Sequence, residues 1–298
     1  MTRNASRSRV TINNILFATD FSPASDRLLP YSLAIAKQYG SEVILTHVIL
    51  PELSFLSEAW SPPLDPDQNV HRLQTDAEQR MAELGSSEGL DAVPHEAIVR
   101  TGEFREVLTE LIEERTIELV VLATHAAGGL SKLLWGSMGE SILRDVLCPV
   151  MIAGPNVARF AGDRFGRIVF ATNFSDASAR ALRYAISMAQ RHQAGLTMLH
   201  SVQSPRGGRD SDRLKKEAES NLLKLVPSDT ELSCGVDVVV EFGDAGEVVL
   251  LVAELQSADL IIMGAHPARA ASTYLPSTVH HVLQHSRCPV LTVRGDAG

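Results

Sequence analysis

The chain repeats itself, and the repeat restricts its possible folds more than composition does. Ile168-Val169-Phe170-Ala171-Thr172-Asn173-Phe174-Ser175-Asp176-Ala177-Ser178 restates Ile15-Leu16-Phe17-Ala18-Thr19-Asp20-Phe21-Ser22-Pro23-Ala24-Ser25. The match runs on through Arg27/Arg180, Leu29/Leu182, Tyr31/Tyr184, Ala36/Ala189 and His47/His200. Later stretches correspond too: Gly102 with Gly243, Glu106-Val107 with Glu247-Val248, Leu119 to His125 with Leu260 to His266, and Cys148-Pro149-Val150 with Cys288-Pro289-Val290. A period of roughly 150 residues is far beyond the ~20–50 residues of solenoid repeats and reads as a duplicated domain. The expected halves are residues 1–156 and 157–298, joined through Gly154 to Phe165.

Within one copy, apolar runs alternate with helical periodicity. Ile15 to Asp20 is a buried strand with a polar tip. Ser22 then caps a helix, Pro23 sits where its missing N–H costs nothing, and Gly40 ends it. Val43 to Leu50 reads as a second strand, and this β-α-β succession requires a parallel pair with a right-handed crossover. Pro51 to Asp67 is a Pro-rich loop, long enough to be a partner-facing lid or a plain surface excursion. Val70 to Leu84 returns to helix, Ala92 to Val99 to strand, and Phe104 to Ile112 to helix. Leu119 to His125 is a strand, Gly136-Ser137 opens a helix, and Cys148 to Ala153 is a closing strand, so one copy spells five strands alternating with four helices.

Composition removes several function classes. A formal net charge of −9 opposes general nucleic-acid binding, which needs a basic face to displace phosphate counterions. No apolar run approaches the roughly 20 residues of a membrane span. Met1 to Val10 carries Arg3, Arg7 and Arg9 without an apolar core, unlike a secretory leader. Cys148, Cys234 and Cys288 lack metal-ligand or redox spacing, and their odd count suits a reducing compartment. These features together predict a cytoplasmic protein.

The stretch from Leu119 to Leu147 is the candidate ligand site: a strand, a small-residue loop and a helix start. Backbone N–H groups there lack internal partners and can face a phosphate where no side chain blocks approach. Gly136 supplies that access and Ser137 a hydroxyl. The opening Ala-Thr-Asp-Phe-Ser, the His-Val ending the second strand, the Gly-Ser helix start and the closing Cys-Pro-Val strand together resemble the universal stress protein family, in two tandem copies. The resemblance implies two doubly wound, Rossmann-like α/β domains, each with a five-stranded parallel sheet, paired inside one chain. It implies ATP or a related adenine nucleotide over the carboxyl ends of the strands, with Mg2+ only as a companion of bound ATP.

Carried over by position, the resemblance places Asp20 near ribose or base and the Val48 backbone near adenine, with Ala18 and Leu122 on the adjoining strand ends. It puts Ala123, His125, Ala126, Gly136, Ser137 and Met138 around the phosphates. The family fingerprint has glycines where Ala123 and Ala126 stand. If those positions need positive φ, each alanine costs about 1 kcal/mol or more; if they need only a small side chain, alanine is harmless. The second copy departs further, with Asn173 for the aspartate and Pro267 and Pro276 removing backbone donors. It is expected to bind ATP poorly and to supply the pairing surface that the first copy otherwise finds in a second molecule.

Other residues favour plainer readings. His266, His280, His281 and His285 lie in one stretch, but no cysteine or carboxylate cluster completes a metal shell, so exposed helix histidines are expected. His47 and His200 end equivalent strands, which favours a structural role in both copies. Cys148 and Cys288 read as small buried hydrophobes. No Gly-x-Ser-x-Gly, His-Glu-x-x-His or Gly-Lys-Ser phosphate loop is present, so no catalytic residue is assigned. Three functions stay open: a nucleotide-responsive stress regulator without robust turnover, a nucleotide-independent adaptor acting on other proteins, and a weak ATPase. Further pairing of two chains into a homodimer is also left open.

Overall fold

A computed structural model of the chain describes residues 10–50, 66–123, 146–203, 211–226, 235–265 and 277–295. The first half comprises β1 (Asn14–Ala18), α1 (Pro23–Tyr39), β2 (Glu42–Ile49), α2 (Pro66–Gly85), β3 (His95–Thr101), α3 (Phe104–Glu114), β4 (Leu119–Ala123) and β5 (Val150–Ala153). The second comprises β6 (Arg167–Ala171), α4 (Asp176–His192), β7 (Gly195–Val202), α5 (Ser211–Leu225), β8 (Val236–Phe242), α6 (Ala245–Leu255), β9 (Leu260–Ala265), α7 (Ser277–His285) and β10 (Val290–Arg294). The helix expected to open at Gly136-Ser137 and the loop from residue 51 to 65 lie outside the described residues.

Ten strands form one sheet in the order β3-β2-β1-β4-β5-β10-β9-β6-β7-β8. Each half is a parallel set of five, and the halves meet where β5 and β10 pair antiparallel, Leu291 opposite Met151 and Thr292 opposite Val150. The closing Cys-Pro-Val strands are therefore the junction. Opposite directions there follow from a pseudo-twofold relation: two copies of one surface facing each other must run head to tail.

The inner strands are buried on both faces, as a parallel sheet between helices demands, while the edge strands β3 and β8 are partly exposed. Along β1, Ile15 and Phe17 enter one apolar cluster with Leu28 and Ile35 of α1 and Met81 of α2. Leu16 and Ala18 enter the other, with Leu108 of α3. That alternation is the period-2 geometry of a strand read twice. The third strand starts at His95 rather than Ala92, because the preceding residues turn: Val93 N–H donates to Leu90 O, and Pro94 O accepts from Val43 N–H at the strand's entry.

Helix entry is duplicated to the level of hydrogen bonds. Ser22 accepts from Ser25 N–H at the start of α1, and Ser175 from Ser178 N–H at the start of α4. Gly40 ends α1 in the left-handed conformation at φ 73°; its counterpart Gln193 ends α4 the same way at φ 57°. The second cap carries a side chain in a region that disfavours one, a strain the sequence pattern does not announce.

The connection between the halves packs as core. Phe160 stacks on Tyr31 at 4.8 Å between ring centroids, and the Tyr31 hydroxyl donates to Ala158 O at 3.1 Å. Phe165 is buried, stacks on His192 at 4.3 Å, and donates its backbone N–H to His192 Nδ1 at 3.1 Å. Tyr39 of α1 and Ser187 of α4 share a 2.8 Å hydroxyl contact across the halves. Gly154, where β5 ends, lies against the last turn of α7, and a Cβ there would stand 1.9 Å from Leu283 O. Gly154→Ala is accordingly expected to force the halves apart locally at a cost of about 1–3 kcal/mol. A thermal melt unchanged from the native protein would refute this close approach.

Candidate functional site

In the first half the strand order reverses between β1 and β4, and a ligand crevice of an open α/β sheet lies outside the carboxyl ends of strands at such a point. Ala18 ends β1 and pairs in register with Leu122 of β4 and Thr46 of β2. Ala123 follows Leu122 at the strand end, and Val48 lies two residues beyond Thr46. Asp20 stands on the loop leaving β1. Five sequence-selected residues thus gather at one sheet end: Ala18, Asp20, Val48, Leu122 and Ala123. His125, Ala126, Gly136, Ser137 and Met138 lie outside the described residues.

The β1 loop is held in an unusual conformation. Phe21 has φ 58°, and its counterpart Phe174 has φ 61°. In each copy the preceding threonine accepts from that phenylalanine's N–H at 2.9 Å. A histidine ring then backs the phenylalanine, His47 at 4.4 Å and His200 at 4.5 Å between centroids. The same histidines bond through Nδ1 to the carbonyls of Thr19 and Thr172, at 2.9 and 2.8 Å. The structural reading of both histidines therefore holds: they brace the loop that carries residue 20 or 173. Burial, reinforced by the nearby Arg80 charge, lowers the His47 pKa, which favours the neutral ring as donor to Thr19 O. Arg80 of α2 also lies 4.3 Å over the Phe21 ring, closing the loop from the solvent side.

Asp20 and Asn173 perform the same local task. Asp20 Oδ1 accepts from Ser22 N–H and the Ser25 hydroxyl; Asn173 Oδ1 accepts from Ser175 N–H and the Ser178 hydroxyl. The exchange keeps the loop and changes only the second terminal atom, from a charged acceptor to an amide donor. The copies thus differ in what they offer a ligand, not in how the loop is built.

The second half holds a cavity of about 180 Å³ at the equivalent sheet end. Asn173, His200, Ser201, Met263, Gly264 and Thr278 are among the residues lining it. Sequence reasoning emphasised what this copy had lost and overlooked Ser201, Ala245 and Val249, which also line it. Ser201 was findable, since it aligns with Val48.

The question of the alanines is settled at one position. Neither Ala123 nor its counterpart Gly264 lies in the left-handed region. Alanine at 123 therefore carries no backbone penalty. Gly264 is small for another reason: a Cβ there would come within 2.4 Å of Ser178 N, so the glycine admits the start of α4 against β9.

Of the remaining candidates, His266 lies outside the described residues. Cys288 is buried and Cys148 half-buried, and burial pushes both thiols up to about 12, so both are inert thiols rather than nucleophiles. His281 and His285 share one face of α7, their rings 4.6 Å apart, and His281 Nε2 stands 3.2 Å from Glu247 Oε1. Among the described residues no group of three His, Cys, Asp or Glu side chains is placed to hold a metal, and no helix is long and apolar enough to cross a membrane.

Comparison with known proteins agrees with this architecture. A universal stress protein of Mycolicibacterium smegmatis is 25% identical over 301 residues, covering 94% of this chain and 96% of its own length. One from Mycobacterium tuberculosis strain H37Rv is 26% identical over 184 residues, or 59% of this chain; that match spans 62% of the relative's length. The crystal structure of a universal stress protein from Archaeoglobus fulgidus shares the fold, with a TM-score of 0.71 at 23% identity over 96% of this chain and 98% of that one. The family model for universal stress proteins matches residues 11–154 and again 164–294, so the chain belongs to the universal stress protein family as two tandem copies.

Proposed function

We propose that this protein is a stress-response regulator that binds ATP or a related adenine nucleotide in its first half, without robust turnover. The observation that carries the reading is the convergence of Ala18, Asp20, Val48, Leu122 and Ala123 on the carboxyl ends of β2, β1 and β4, where the strand order reverses. Asp20 brings a carboxylate to this sheet end, a group that accepts from ribose hydroxyls. His125, Ala126, Gly136, Ser137 and Met138 complete the proposed site around the phosphates, and Mg2+ accompanies only bound ATP. The functional halves are residues 1–156 and 157–298, the second being the weaker nucleotide site, and the protein works in the cytoplasm. A second reading, an adaptor independent of nucleotide, draws on Leu251 and Leu255, which are exposed one turn apart on α6.

Calorimetry with ATP tests the choice. One site per chain is expected. A hydrogen bond to a charged phosphate is worth about 1.5–3 kcal/mol, so Ser137→Ala should weaken binding roughly ten- to hundredfold. Gly136→Val should weaken it more by blocking backbone approach. Two equal sites per chain would contradict the asymmetry, unchanged affinity in both variants would move the ligand elsewhere, and absence of binding would favour the adaptor.

A further inference from the structure

The cavity of the second half, about 180 Å³ at the ends of β6, β7 and β9, is walled by residues that differ from their counterparts in the first half. Leu199, Val249 and Met263 supply apolar wall, and Asn173, Ser201 and Thr278 supply polar groups. None of the described lining residues is Asp, Glu, Lys or Arg.

The duplication shows how the space arises. Ala245, the first residue of α6, is the counterpart of Phe104, the first residue of α3. Phe104 is half-buried and packs against the apolar cluster that holds Ala18, Val48 and Leu122. Alanine at 245 removes that ring, and Val249 in place of Leu108 removes a further methylene. Leu199 replaces Thr46, whose hydroxyl is buried without a hydrogen-bond partner in the first half, so this part of the wall becomes more apolar. Ser201, standing for Val48, brings one hydroxyl to the lining.

A charged ligand loses its hydration on entering such a site and needs opposite charge or several donors in return. Pro276 carries no N–H where Gly136 stood. Asn173 Oδ1 already accepts from the Ser175 N–H and the Ser178 hydroxyl, which leaves the amide nitrogen as its end for donating to a ligand. Mostly apolar walls with a few polar groups suit a small organic molecule held by its shape and oriented by one edge. An apolar cavity of about 150 Å³ accepts benzene. This one is slightly larger, with room for a six-membered ring bearing one polar substituent.

We propose that this cavity binds a small uncharged aromatic compound with one hydrogen-bonding edge, about as large as a phenol. The ring takes the space that the exchange of Phe104 for Ala245 opens, and the polar edge meets Asn173, Ser201 or Thr278. This goes beyond the weak nucleotide affinity proposed for the second half, and it does not depend on nucleotide binding in the first.

The test titrates phenol, benzene and benzoate into the full chain carrying carbon-13 methyl-labelled methionine, and follows the methyl signal of Met263, which is 6% exposed and lines the cavity. Phenol is expected to shift that signal saturably and to bind more tightly than benzene by about two- to tenfold, the worth of one neutral hydrogen bond. Benzoate, which has the same ring and a negative charge, should leave the signal in place. Ala245→Phe restores the first-half residue, fills the space and should abolish the phenol shift. Val249→Leu adds one methylene, should weaken phenol less, and serves if the phenylalanine variant folds poorly. Absence of a saturable shift with phenol, benzoate or benzene binding as tightly as phenol, or native affinity in both variants overturns the proposal.

Discussion

Leu291→Ala is expected to destabilise the protein by about 2–5 kcal/mol, the range for deleting a fully buried leucine side chain. Leu291 is 0% exposed, lies opposite Met151 across the antiparallel seam, and belongs to an apolar cluster drawn from both halves. The cavity therefore opens where the halves are joined and cannot relax within one domain alone. Urea denaturation monitored by circular dichroism measures the loss. Leu251→Ala is the control, since Leu251 is 54% exposed and its truncation should cost no more than about 0.5 kcal/mol. Because the seam is intramolecular, the midpoint should not move with protein concentration. Equal effects of the two substitutions would mean that the seam does not form in solution.

Stability should also fall with acid in a way traceable to His192. Burial, helped by the Arg164 charge, takes its imidazole down to about 4 from 6.5. The neutral ring is the one the fold uses, since Nδ1 accepts from Phe165 N–H and the ring stacks on Phe165. Between pH 6.5 and about 4 the unfolded chain takes up a proton that the folded chain refuses, so stability rises with pH across that window. The contribution is present in full above 6.5, declines as pH falls toward 4, and levels off below it. A shift of this size corresponds to about 3 kcal/mol in all, of which about 2 kcal/mol disappears between pH 7 and pH 5. His192→Gln keeps an acceptor for Phe165 and cannot titrate, so its urea midpoint should change less over that interval. Parallel pH profiles for variant and native protein would rule His192 out as the source.

Local features were legible because their causes are local. Ser22, Pro23 and Gly40 stand one to three positions from the groups they cap, and each does the expected task. The period-2 apolar runs located the strands, with the third displaced by a turn that apolar periodicity does not encode. The duplicated histidines suggested bracing, and their bonds to Thr19 and Thr172 supply it. The second-copy cavity was underestimated because substitutions such as Asn173 and Pro276 drew notice to lost donors. Cavity shape depends instead on how closely α4 meets β9 at Gly264, a distance set by packing.

By itself the sequence determined that there are two copies and which stretches form most of their strands and helices. These follow from residue identity and short-range period. The tertiary structure alone decided that β5 and β10 pair head to tail, that Phe160 of the connecting segment stacks on Tyr31, and that His192 is held neutral beneath that segment. Each of those outcomes depends on groups brought together from distant parts of the chain. Their burial and charge environment exist only once the two halves are packed, so no periodicity within either half can specify them.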